Sequence, residues 1–550
     1  MTDLKHLNFK VLVLCLSAVL LAYFTVHQLA APAEVALGLA CSSLVADGKV
    51  PYVDFLDNAS PYCYYLALPV ILLSRLFFLH PILIANLALV LGFAGSMLLI
   101  DKMAEGSFRH RLLRAKLPFL ALAAFLFLFV FIGEFGQSPL VYVLFSLPYL
   151  CARYMSSSFV PAAPKGPLTF SFTRSIAGIM QGLVIFLDPL FLLAFLATEI
   201  TVAVSRPRRY FGVELVSAFV TLAVMLAALA LMPAAAVSTY CGPICHLNQL
   251  SFEFFNDVLF YVEKSPDRRD LIYFYVVSQA LILPVVWRCL LTRLLSVLAG
   301  FGFGYYVGST NLLSWQALAM CGYSILGLGL CCSYYFRKFA IPVPLSINAP
   351  QKLALPVLTV LLAGGFFYKQ VPADKWFRLE RYGYHGWGLA SDLTFFGGPF
   401  QENCPPRKLA AVCATQLRPG FPLIMQLREN GDYFQWGFPF HTLKVMRERK
   451  LPDQVADLLA FEDKFYTRLK ASWTGPNRPD FIVVEDGEVR DSLWAHGINT
   501  ILENDYEPGP YLSLLNGDEI AAHPHLEYIG YPLSFASFKL KARTTLPPGQ

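Results

Sequence analysis

Residues 62–79 read YCYYLALPVILLSRLFFL, and whether this run crosses a membrane decides the side on which every later part of the chain lies. A span needs ~20 apolar residues to cover ~30 Å of hydrocarbon at ~1.5 Å per residue. Hydropathy leaves the run ambiguous. Around it lie further apolar runs near 10–30, 81–100, 117–133, 139–152, 175–187, 189–204, 211–233, 271–288, 293–308, 310–332 and 353–370, or about eleven candidate spans. Lysine and arginine beside span ends are retained in the cytoplasm. They cluster at Lys5 and Lys10, at Lys102, Arg109, Arg111, Arg114 and Lys116, at Arg206, Arg208 and Arg209, at Arg288 and Arg293, and at Arg337 and Lys338. All these clusters share one side only if 62–79 stays outside as a juxtamembrane or re-entrant helix. If it spans, every cluster after the first falls on the wrong side.

The composition agrees with a lipid-solvated chain. Of 550 residues, 56% are hydrophobic and 15% charged, and the mean hydropathy of +0.52 excludes an ordinary water-soluble globule. The expected fold class is a polytopic α-helical membrane protein with a C-terminal extracytoplasmic α/β domain. It divides into a transmembrane module over 1–370 and a soluble domain over 371–550, with long outer loops at 31–80 and 234–270. The first run has the length of a retained span rather than of a signal peptide. The expected location is the cell (inner) membrane, multi-pass, with the N-terminus cytoplasmic and the C-terminal domain periplasmic. The net charge of +5 is carried mostly by the retention signals, so it does not point to nucleic acid.

Most of the twelve cysteines fall in apolar runs and act there as small hydrophobes. Cys241 with Cys245, and Cys404 with Cys413, fall on the outer side and are candidate disulfides; their spacing does not suit zinc. Segment 31–80 opens as a helix, breaks at Gly48, continues as an extended piece and enters an aromatic-rich helix. Segment 234–270 suggests an amphipathic interfacial helix, with Phe252, Phe254, Phe255, Phe260 and Tyr261 suited to a headgroup boundary. In the C-terminal part the pattern predicts a helix over 452–471, a strand at 481–485, a helix near 488–496, and strands around 511–515 and 534–541. Its aromatic cluster Tyr433, Phe434, Trp436, Phe438 and Phe440 suits a buried core better than a sugar-stacking surface.

Carboxylates beside a membrane boundary are conspicuous, and five stand out on the outer side: Glu34, Asp54, Asp57, Glu134 and Asp188. Glu34, Asp54 and Asp57 are candidates for a general base or for metal ligation. Asp188, in FLDPLF between two apolar half-segments, is either functional or the cap of an Asp-Pro turn. Glu134, in FIGEFGQSP, is expected to face the same cleft. Arg75 is a candidate phosphate partner or a snorkelling anchor.

The stretch GKVPYVDF followed by SPYCYYLALPVILLSRLF resembles the first outer loop of the GT-C superfamily of membrane glycosyltransferases, which includes protein mannosyltransferases and lipid A aminoarabinose transferases. The resemblance covers mainly residues 10–270. It implies transfer of a sugar from a polyprenyl-phosphate donor to an extracytoplasmic glycan, lipid or protein acceptor, with a loop carboxylate as base and a divalent metal, Mg or Mn. Within it, Asp54 matches the aspartate of the G-x-x-P-Y-x-D-F pattern and Glu34 the second acid of an Asp-Glu pair whose first member is Ala33 here. Tyr52, Asp57, Glu134, Asp188 and Arg75 are then substrate-binding candidates, and Glu34 and Asp54 the metal ligands. Lysines common in the family are replaced by Ser60 and by Asp188-Pro189. Loss of the leading aspartate keeps a second reading open, a catalytically inactive scaffold or glycan-binding subunit. A transporter or flippase is disfavoured by the lack of a repeat.

Overall fold

The computed structural model describes residues 2–26, 33–55, 60–105, 113, 116–131, 135–156, 167–188, 190–205, 211–246, 266–308, 317–338, 408–412, 428–429, 456–476, 478–479, 481–485, 488–508, 512–513 and 534–541. The chain is mostly helical. Its helices are α1 (Thr2–Val26), α2 (Ala33–Ala46), α3 (Pro61–Phe77), α4 (Pro81–Met103), α5 (Leu117–Val130), α6 (Ser138–Ser156), α7 (Pro167–Val184), α8 (Leu190–Ser205), α9 (Val213–Ala230), α10 (Ala234–Thr239), α11 (Pro266–Val286), α12 (Leu290–Gly308) and α13 (Leu318–Lys338), followed by α14 (Ala456–Thr474), α15 (Glu488–Ala495) and α16 (Ile498–Asp505). A helix overlies each expected apolar run except 353–370, which lies outside the described residues. Among the described residues three helical stretches are long and apolar enough to cross a membrane: Pro81–Met103, Val213–Ala230 and Leu290–Val307. The other apolar helices are shorter, α3 among them.

Contacts group the chain into two compact units, each assembled from separate segments. The first comprises Met1–Pro32, Ser60–Leu231 and Phe252–Trp376 and holds the apolar helices. Pro61 and Pro81 begin α3 and α4, where a missing N–H costs nothing and the preset φ favours the first turn. α5 reads LPFLALAAFLFLFV, apolar on every side as a fully packed or lipid-facing helix must be. Its Leu120 and Phe127 join Phe93, Met97, Leu147 and Leu294 in one buried core. α7 and α9 approach closely because α7 carries Gly178 and Gly182. A methyl group at Gly182 would sit 2.6 Å from Thr221 Cβ and 2.9 Å from the Ala218 carbonyl on α9. Polar side chains tie further helices together, as membrane bundles do in the absence of a hydrophobic driving force. Ser146 and Tyr323 hydroxyls meet at 2.8 Å between α6 and α13, while Gln279 on α11 donates to Ser324 at 3.2 Å and accepts from Ser296 at 2.6 Å.

The second unit comprises Ala33–Ala59, Met232–Ser251 and Phe377–Gln550. The expected first outer loop is thus divided: α2 and the turn after it group with the C-terminal residues, and α3 with the apolar helices. Among the described residues this unit contains a six-stranded mixed sheet built from β1 (Lys408–Val412), β2 (Arg428–Glu429), β3 (Phe481–Glu485), β4 (Tyr506–Pro508), β5 (Leu512–Ser513) and β6 (Ser534–Leu540). β1 runs parallel to both β2 and β3, and β6 runs antiparallel to β3, β4 and β5. β3 reads FIVVE, whose β-branched residues suit a pleated interior position; Ile482 and Val484 are fully buried. Beside the sheet, α14 buries Leu458, Phe461, Tyr466, Leu469 and Trp473 along one face. The aromatic cluster at 433–440 lies outside the described residues.

Candidate functional site

The segment 47–55, which joins α2 to the region before α3, is a closed turn rather than the extended piece that its sequence suggests. α2 ends at Ala46, and the turn that follows it runs through Gly48, whose φ of +84° is a left-handed conformation open to glycine at little cost. The Lys49 N–H returns to the Leu44 carbonyl at 3.0 Å, beside the Asp47 N–H that the same carbonyl accepts at 3.0 Å, so the helix end is closed by the turn that follows it. The Val50 carbonyl then accepts from the Asp54 N–H at 2.8 Å. In return the Val50 N–H donates to Asp54 Oδ2 at 2.7 Å. These two bonds curl the chain back on itself, and the Tyr52 N–H closes the turn onto the Phe55 carbonyl at 2.7 Å.

Tyr52 sits at φ +63°, a conformation that costs a bulky side chain about 1–3 kcal/mol and persists only where the surroundings over-determine it. Those surroundings are explicit. The Tyr52 side chain is 2% exposed, and its ring lies 5.1 Å from that of Tyr240 at an interplanar angle of 34°. Tyr240 opens a π-helical turn, Tyr240–Ile244, the kind of wide turn often found at functional sites. The Val53 carbonyl accepts from Arg468 Nη1 on α14 at 2.7 Å. His246 Nδ1 lies 3.0 Å from Asp457 Oδ2, also on α14. The result holds Asp54 half-buried, one carboxylate oxygen engaged by a backbone N–H. Among the described residues no hydrogen bond to its Oδ1 occurs.

A second carboxylate lies in the unit of apolar helices. Helix α7 ends in a 3₁₀ turn, Ile185–Leu187, and Asp188 follows in extended conformation. Its Oδ1 accepts the Leu190 N–H at 2.9 Å, so the Asp-Pro capping role is realised. Its Oδ2 accepts the Tyr305 hydroxyl at 3.3 Å. Burial pushes the Asp188 carboxyl above the usual carboxylate range, and the Leu190 N–H and Tyr305 hydroxyl work in the opposite direction. α3 is tied to the same junction: the Cys63 thiol donates to the Leu187 carbonyl at 3.4 Å and the Tyr62 ring lies 4.4 Å from Phe186.

The remaining expected site residues are dispersed. Glu34 lies in the first turn of α2, with its side chain outside the described residues. Asp57 and Glu134 lie outside them entirely, as do Cys404 and Cys413. Arg75 is exposed in the last turn of α3, among exposed Leu72, Leu76 and Phe77, the setting of an interfacial anchor. Cys241 and Cys245 are free, exposed thiols rather than a disulfide. Of segment 234–270, residues 234–246 are described; the phenylalanines of the expected interfacial helix are not. Among the described residues no group of three or more His, Cys, Asp or Glu side chains converges.

Several polar groups went unnoticed in the sequence. Arg153 on α6 is fully buried and forks onto Glu199 of α8, with Nη2 2.6 Å from Oε2 and Nε 3.1 Å from Oε1. Glu214 of α9 lies 3.4 Å from Arg153 Nη1, and the Tyr149 hydroxyl donates to Glu199 at 2.7 Å. Charges inside the apolar runs LPYLCARYM and FLATEITVAV were the available signal. No such signal marked Arg468, Tyr240 or Tyr305, because their roles depend on long-range contacts. No protein-family model and no curated protein matches the chain.

Proposed function

We propose that this chain is a membrane glycosyltransferase of GT-C layout that moves a sugar from a polyprenyl-phosphate donor to an extracytoplasmic glycan, lipid or protein acceptor. Asp54 is the base in this reading. The observation that carries it is the strained, buried turn around Tyr52, which orients the Asp54 carboxylate through the Val50 N–H at 2.7 Å. Backbone strain retained at Tyr52, two residues before a loop acid, supports a functional reading of the turn. A carboxylate with one oxygen held by the backbone presents the other in a constant direction, as general-base catalysis requires.

In the transfer, Asp54 takes the proton of an acceptor hydroxyl, the acceptor oxygen bonds to the anomeric carbon, and the carbon–oxygen bond to the phosphate breaks with its electron pair leaving on the phosphate. A divalent cation, if bound, would neutralise that leaving group. The accompanying topology has a cytoplasmic N-terminus, about eleven crossings and an extracytoplasmic C-terminal α/β domain. It is supported by the basic clusters and by the helices that overlie the apolar runs. Ala33, where the family's leading aspartate is expected, favours the competing reading of an inactive scaffold or glycan-binding subunit.

The test supplies purified protein with polyprenyl-phosphate sugars and a divalent metal. Asp54→Asn keeps an oxygen for the Val50 N–H but cannot take a proton, and it should lower transfer about 10²- to 10⁴-fold. Glu34→Ala is run beside it. Unchanged transfer in both variants overturns the site assignment, and a wild-type protein that binds donor without consuming it favours the scaffold.

A further inference from the structure

The Asp54 turn is held from a part of the chain that its own sequence neighbourhood does not contain. Three segments of the second unit close a circuit around it. Tyr52 packs on Tyr240, His246 meets Asp457, and Arg468 donates to the Val53 carbonyl. The two α14 residues in this circuit are separated by about three helical turns, so they project from one face of the helix roughly 16 Å apart. α14 is itself seated by an adjoining apolar face, where Leu458, Leu469 and Trp473 are buried.

From this we infer that α14 is a strut for the catalytic turn and that Arg468 is its positioning residue. The assignment of a catalytic role to the turn rests on the glycosyltransferase reading; the strut does not. The Arg468 bond is charge-assisted, hence stronger than a neutral one, and it lands on the peptide that carries Asp54. Val53 and Phe55 carbonyls, the Val50 N–H and the Tyr240 ring together remove the rotational freedom that would let the carboxylate swing. The C-terminal part of the chain therefore acts in the site without supplying a reacting group.

The test uses the full-length protein in lipid nanodiscs. Amide exchange over residues 47–55 is compared in wild type, Arg468→Ala and Arg468→Lys, with β3 as an internal reference. Arg468→Ala should speed exchange in 47–55 roughly 10- to 100-fold and leave β3 unchanged. Arg468→Lys, which retains a cationic donor, should restore most of the protection. Wild-type exchange in 47–55 of Arg468→Ala overturns the inference. If Arg468→Ala also loosens β3, His246→Ala decides through the other arm of the circuit: faster exchange in 47–55 supports the strut, and no change overturns it. Where donor turnover is measurable, Arg468→Ala should lower kcat with KM unchanged. A wild type without turnover defeats the glycosyltransferase reading while leaving the exchange result to stand for the strut.

Discussion

Asp188 shows how one side chain serves two demands. As a cap it gives the Leu190 N–H an acceptor, and as a buried acid it resists ionisation. A carboxyl whose pKa is higher folded than unfolded binds more protons when folded. Its contribution is fully present below the unfolded value near 3.9 and is lost as pH rises from there through the folded value. Asp188→Asn keeps the cap oxygen and removes the titration. Relative to that variant, wild type should lose thermal stability as pH climbs from about 4; parallel melting curves across that range would show that Asp188 is solvated. At this scale the carboxylates were legible and their partners were not. Asp188 stands out because charge is rare among its neighbours, and Asp54 because it lies beside a membrane boundary. Nothing local announces that Tyr305 or Arg468 will meet them. Tyr52 was named through a resemblance, and its positive φ has no local signature either, since tyrosine has no preference for that conformation.

Helices were the most legible elements. Long apolar runs leave the backbone no other way to satisfy its hydrogen bonds in lipid, and the strand at Phe481–Glu485 and the helix after it are found where pattern placed them. The turn at 47–55 reads as extended in the sequence because its closure depends on the Asp54 carboxylate accepting the Val50 N–H and on backbone bonds that no local pattern announces. The contact of α7 with α9 was also legible in principle: Gly178 and Gly182 form a G-x₃-G pair, a recurrent device for close helix approach. Substituting Gly182 with valine should drive Thr221 and the Ala218 backbone away and destabilise the bundle by about 1–3 kcal/mol. Thermal unfolding in detergent reads this directly. An unaltered midpoint would mean that α9 gives way without penalty. The Arg153–Glu199–Glu214 cluster joins α9 to α6 and α8, so the variant should be felt beyond the α7–α9 seam.

At the level of the molecule, the side on which each segment lies is the expectation that most needs a direct measurement. Cys241 and Cys245 are exposed thiols in a segment assigned to the outside. A membrane-impermeant maleimide applied to intact cells should label them, while a Ser157→Cys variant in an assigned inner loop should react only after permeabilisation. Burial, with Cys241 nearby, raises the Cys245 thiol above its usual range, and thiolate is the reactive form, so labelling of Cys245 should quicken as pH rises. Labelling of position 157 in intact cells, with the native pair protected, would invert the topology. The division into two units was not legible in a boundary at 370, because linear reading cannot join segments that only the folded chain brings together.

That interleaving has a consequence in time. Arg468 lies 415 residues after the carbonyl it engages. At ~5–20 residues per second a ribosome takes roughly 20 to 80 s to cover that distance. Throughout that interval the turn bearing Asp54 has been made and its strut has not. The last helix to be synthesised with a role at the first loop is therefore also the one that completes it, so an interrupted chain carries the loop without the means to hold it.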